Sequence, residues 1–155
     1  MRACLRNVIL VALLVPVAFC EAHPFAGTWR LNLVKSKDAS PARLPLSETL
    51  YIEERDGSMK LTADQVYPQE KPLHVEYDVR YDGKDYPVKG SPTGDTVALR
   101  RINANTLETR RKRDGKLLFT FVTVISQDGK TRTSTFAGKN AKGERISWVA
   151  VFDKQ

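Results

Sequence analysis

Four Asp-Gly pairs, Asp56-Gly57, Asp82-Gly83, Asp114-Gly115 and Asp128-Gly129, separate short runs in which apolar and polar residues alternate. Asp-Gly supplies the positive φ angles of type I′ turns, whose twist matches that of flanking antiparallel strands, so such a pair between two alternating runs predicts a hairpin. Asn103-Ala104-Asn105 and Lys142-Gly143 punctuate the chain in the same way. The strands expected from this rhythm are Ala26–Val34, Glu48–Arg55, Met59–Ala63, Leu73–Tyr81, Asp85–Gly90, Thr96–Ile102, Thr106–Lys112, Lys116–Ser126, Thr131–Ala137 and Ile146–Phe152. Lys35–Leu46, with Pro41 and Pro45, reads as a loop holding at most one helical turn. No segment keeps a 3.6-residue apolar period over three turns. Successive antiparallel strands with one apolar face must bury that face, and closing the sheet also removes its exposed edges. The expected fold is all-β, a single antiparallel up-and-down barrel of about eight to ten strands.

The first 22 residues stand apart from this pattern. Arg2 and Arg6 precede an apolar stretch from Val8 to Cys20 broken only by Pro16, and Cys20-Glu21-Ala22 places small residues at the −3 and −1 positions of a cleavage site. The stretch is too short for a spanning helix, which needs roughly 20 apolar residues, and no later segment approaches that length. Residues 1–22 are therefore expected to be a secretory signal peptide and 23–155 the barrel domain. Acylation of Cys20 is the weaker alternative, because bulky Phe19 precedes it where a small residue belongs. Cleavage after Ala22 removes Arg2, Arg6 and Glu21 and leaves 23 Lys and Arg against 17 Asp and Glu in 133 residues. It also removes Cys4 and Cys20, so the mature chain has no disulfide and no thiol nucleophile or ligand. A periplasmic or secreted location fits these features, a bacterial periplasm best.

Strand alternation assigns faces. In Leu73–Tyr81, the residues Leu73, Val75, Tyr77, Val79 and Tyr81 share the core face. Ile146, Trp148, Ala150 and Phe152 are in phase on the last strand, Val97 and Leu99 on another, and Leu107 and Thr109 on a third. Two of these faces continue into arginine, at Arg101 and Arg111. A guanidinium pointing into a barrel needs an anionic partner, which a ligand carboxylate or phosphate would supply; a cation near a strand end can instead reach solvent. Arg132, in phase with Ser134 and Phe136, has the same two readings. Trp29, on the first strand, is expected to close the barrel base with its Nε1–H on an acceptor, and not to touch ligand. Both faces of Lys116–Ser126 are partly apolar, which predicts cover on one side by a loop or a partner.

Phe25-Ala26-Gly27-Thr28-Trp29-Arg30-Leu31-Asn32 with Lys35-Ser36 resembles the opening of small secreted bacterial lipocalin-like proteins. The segments Tyr81–Val88, Asp95-Thr96-Val97, Asn105-Thr106 and Val151–Gln155 are similar to the same group. The resemblance implies a calycin-type barrel and a hydrophobic small-molecule ligand. The second-loop Thr-Asp-Tyr signature and the disulfides of better-known lipocalins are missing, so no particular ligand is carried over.

Little else points to chemistry. The histidines are His23 and His74; a copper site on a free N-terminal His23 would need His74 beside it, yet His74 falls on the outward face. There is no metal-ligand cluster and no Gly-x-Ser-x-Gly elbow, and the adjacent Glu53 and Glu54 point to opposite faces. No metal, no cofactor and no enzymatic activity are expected. Arg100-Arg101 and Arg110-Arg111-Lys112-Arg113 form a basic patch suited to an anionic envelope surface; nucleic acid is disfavoured because aromatics do not interleave with it. The function expected is an exported monomeric carrier or sensor holding an apolar, anionic small molecule, with Arg101, Arg111, Tyr77 and Trp148 as ligand-binding residues. The alternative is an envelope interaction module using the basic surface around a filled barrel.

Overall fold

A computed structural model describes residues 23–38, 44–139 and 145–155. The expected signal peptide lies outside the described residues, as does Lys142-Gly143. The chain folds into β1 (Gly27–Leu31), β2 (Lys37–Asp38), β3 (Ser47–Arg55), β4 (Ser58–Val66), β5 (Leu73–Arg80), β6 (Tyr86–Pro87), β7 (Thr96–Asn103), β8 (Thr106–Arg113), β9 (Lys116–Ile125), β10 (Thr131–Lys139) and β11 (Arg145–Lys154). Every strand pairing is antiparallel. Ten strands run in the order β5-β4-β3-β1-β11-β10-β9-β8-β7-β6, with β2 added beside β11. β5 returns towards β6 and β7 through the bridges Glu76↔Lys89 and Asp82↔Arg100, so the sheet is a nearly closed up-and-down barrel. Among the described residues no helix is long and apolar enough to cross a membrane.

Alternation builds the core as expected. On β3, Leu50, Ile52 and Glu54 are buried between the exposed Tyr51, Glu53 and Arg55. On β5, Val75, Tyr77 and Val79 are buried in the same phase. The expected strand Asp85–Gly90 is cut to Tyr86–Pro87, because Pro87 lacks a donor and Gly90 turns the chain with φ +72°. The turns differ in detail from expectation. Only Asp114-Gly115 has both φ angles positive (49° and 73°), as a type I′ turn requires. At the other three pairs the glycine alone takes a positive φ.

Strand β9 carries a register shift and, among the described residues, keeps an exposed apolar outer face. Arg111 stands opposite Phe119 and Lys112 opposite Leu117, so Leu118 is the extra residue of a bulge. Beyond it Phe119 and Phe121 turn inward, while Val122 and Val124 face outward and remain exposed.

Candidate functional site

The chain enters the barrel at its base, where hairpins β3–β4, β7–β8 and β9–β10 turn. Phe25 and Trp29 are fully buried there, and Trp29 Nε1–H donates to the Phe25 carbonyl at 2.8 Å, the closure expected of that tryptophan. Glu54, whose side chain is 0 % exposed, accepts the Phe25 amide (3.0 Å) and the Tyr81 hydroxyl (2.8 Å), and pairs with Arg101. The Arg101 guanidinium also lies over the Tyr81 ring at 4.3 Å and donates to the Ala104 carbonyl at 3.1 Å. Burial and the hydrogen bond to Glu54 push the Tyr81 hydroxyl far above its ordinary pKa. Arg101 is thus held by the protein itself at the base.

The other half of the interior is a cavity of about 900 Å³ that extends to the loop residues Pro45, Pro68 and Pro92. This volume suits a ligand-sized pocket. One wall is aromatic: Phe119 on β9 meets Phe121 of the same strand and Phe136 on β10, and Trp148 on β11 meets the same two rings, with centroids 5.6–6.2 Å apart. The facing wall is aliphatic, from Leu50, Leu61, Ala63 and Val75 on β3–β5.

Polar groups interrupt this lining. Arg132 is buried, donates from Nη1 to Ser134 Oγ at 3.2 Å, lies over the Phe152 ring at 5.1 Å, and leaves Nε without a partner. Arg111 lies over the Tyr77 ring at 5.2 Å, and its buried Nη1 also has no partner. Glu48 on β3 accepts Gln65 Nε2–H at 2.6 Å. Burial pulls the Arg132 pKa down, partly countered by Tyr77 and Glu48. Burial pushes the Glu48 carboxyl up, against the Gln65 hydrogen bond and the fields of Arg132 and Arg111. Burial, with the Glu48 and Glu70 charges beside it, also pushes the Tyr67 hydroxyl up to about 12. Glu48, Tyr77, Arg111 and Arg132 are therefore one electrostatic group. An interior guanidinium with an unpartnered N–H is costly unless an acceptor reaches it, and bidentate contact with an anion satisfies it best.

No protein-family model matches this chain, and no curated protein matches it in sequence.

Of the residues singled out in the sequence, Arg111, Tyr77 and Trp148 come together on the cavity lining. Arg101 is not among them, because Glu54 and the base aromatics hold it. Arg132 takes the buried of its two readings. The basic patch divides by strand phase. Arg101 and Arg111 turn inward, while Arg100 pairs with Glu108 (3.2 Å) and Lys112 with Asp85 (2.7 Å). Arg110 donates to the Gly83 carbonyl at 3.0 Å, and Arg113 to that of Pro92. His23 lies near Asp56 at the base, whereas His74 pairs with Asp64 near the cavity end, so the two do not meet. Among the described residues no cluster of potential metal ligands forms. Glu48 and Gln65 were missed. Their signal was strand phase: Glu48 stands two residues before Leu50, and Gln65 two after Ala63, each continuing an apolar face.

Proposed function

We propose that this chain is an exported small-molecule binding protein, a carrier or sensor whose barrel holds an apolar molecule with an anionic group. The observation that carries the reading is a ligand-sized cavity lined by Arg111 and Arg132, each with one buried nitrogen that has no partner, Arg111 Nη1 and Arg132 Nε. Folding does not place charges there for stability, since an unpaired buried cation is destabilising. The anionic end would meet Arg111, Arg132 and Tyr77, and the apolar body would lie between the aromatic and aliphatic walls. The reading is of binding and not catalysis. The cavity lining offers guanidiniums, phenols, the Glu48 carboxyl already held by Gln65 and the exposed Glu70 at its edge, a set that fixes an anion. Residues 1–22 support an exported, periplasmic or secreted location, and the resemblance to lipocalin-like proteins supports the same ligand class.

The alternative, an interaction module working through its basic strands, has less behind it. Arg100, Arg110, Lys112 and Arg113 are each engaged within the chain, and the barrel is not filled. Native mass spectrometry of protein purified from its own cell envelope tests the proposal. A stoichiometric small molecule that Arg111→Met or Arg132→Met removes is the expected result. Protein that stays bare after incubation with an envelope lipid extract overturns it.

A further inference from the structure

We infer that the cavity takes an amphipathic acid carrying a hydrogen-bond donor close to its acid group, and that Glu48 selects for that donor. The inference rests on the cavity being an anion site, and it concerns Glu48, an interior group that an anion alone does not explain. Glu48 lines the same cavity from β3 as Arg111 and Arg132, yet among the described residues it forms no ion pair with either. Its carboxyl is held by Gln65, which faces inward from the neighbouring position of β4.

A plain carboxylate on Arg111 Nη1 and Arg132 Nε would bring a second negative charge beside Glu48, and like charges brought together across a binding site oppose association. A hydroxyl or amide N–H on the carbons next to the acid group reverses this. The acid satisfies the guanidiniums, the donor satisfies Glu48, and the remaining chain lies on the apolar walls. A site whose buried polar group is matched by one ligand and left unmatched by its analogue discriminates strongly between them. Gln65 makes the arrangement specific to a donor, because its amide already occupies Glu48 Oε1 and fixes the direction of the carboxyl.

Calorimetric titration of ligand-free protein with three probes tests this: decanoate, decanoate hydroxylated beside the acid group, and decanoate hydroxylated at the far end of the chain. The native protein is expected to bind the first hydroxylated acid at least about tenfold tighter than decanoate, equivalent to about 1.4 kcal/mol. The far-end isomer is expected to gain nothing. In Glu48→Leu the preference collapses and decanoate itself binds more tightly. Glu48→Gln keeps the shape, removes the charge and is expected to raise decanoate affinity in the same direction; it is the readout if Glu48→Leu does not fold. Equal affinities of the native protein for decanoate and its near-hydroxylated form overturn the inference while leaving the anion site standing. A preference that survives in Glu48→Leu also overturns it. Binding of none of the three acids removes the anion site and this inference together.

Discussion

Arg101 at the base and Arg111 and Arg132 in the cavity are the same side chain in two interior settings. Arg101 has a fully buried carboxylate, a carbonyl and two aromatic faces around it. Arg111 and Arg132 have an aromatic face each and buried nitrogens with nothing to bond. The first arrangement is complete without a ligand and ties the N-terminal segment to β3, to β7 and to Tyr81 just past the end of β5. The second is incomplete in the folded chain, and a small anion completes it. The contrast teaches that an inward arginine on a barrel strand is not in itself a ligand contact. What separates the two is whether the chain places a carboxylate within reach.

The largest effect should come from breaking the base. Glu54→Ala strands Arg101 and frees the Phe25 amide, and should cost about 3–5 kcal/mol of unfolding free energy in urea titration. If it still folds, its affinity for an anionic probe should be unchanged. A loss of binding equal to that of the cavity variants would erase the distinction between the two ends. The seam of the barrel comes next. Gly90 has φ +72°, and a Cβ there would lie 1.9 Å from the His74 carbonyl oxygen on β5. Gly90→Ala should therefore lower stability by about 1–3 kcal/mol, again read by urea unfolding.

The cavity arginines should behave in the opposite sense. Arg132→Met removes an incompletely bonded buried charge, so stability should hold or rise by up to about 1–3 kcal/mol. Affinity for decanoate should fall by roughly ten- to a hundredfold, as expected for one lost charge-assisted hydrogen bond. Stability and affinity falling together would place Arg132 with Arg101 instead.

The smallest effect is on pH dependence. The folded-state pKa of Glu48 lies above its ordinary value of 4.5 because burial disfavours the charged carboxylate. Stability from a protonated Glu48 is therefore complete below that ordinary value and lost as pH climbs through the raised one. Glu48→Gln cannot titrate, so its urea midpoint should fall less than that of the native protein as pH rises above the ordinary Glu48 value of 4.5. Identical slopes would show that Glu48 titrates as if exposed.

Much of this was legible along the chain. The Asp-Gly rhythm and the period-two faces give the strands, and the phase of Leu73–Tyr81 puts Tyr77 inside because side chains alternate strictly across a strand. Phase also turned Arg101, Arg111 and Arg132 towards the interior. It could not distinguish them, because Glu54 lies 47 residues from Arg101 and meets it only when β3 and β7 converge on the base. The bulge at Leu118, which points Phe119 and Phe121 into the cavity, is likewise a matter of how β8 and β9 register against each other.

By itself, the sequence determined the all-β class, the strand order along the chain and the inward phase of most core residues, because these depend on local alternation and turn chemistry. The tertiary structure decided which interior charges are neutralised and which are left to a ligand. That outcome depends on distances between residues far apart in the chain, which are set only when the barrel closes around a space it does not fill.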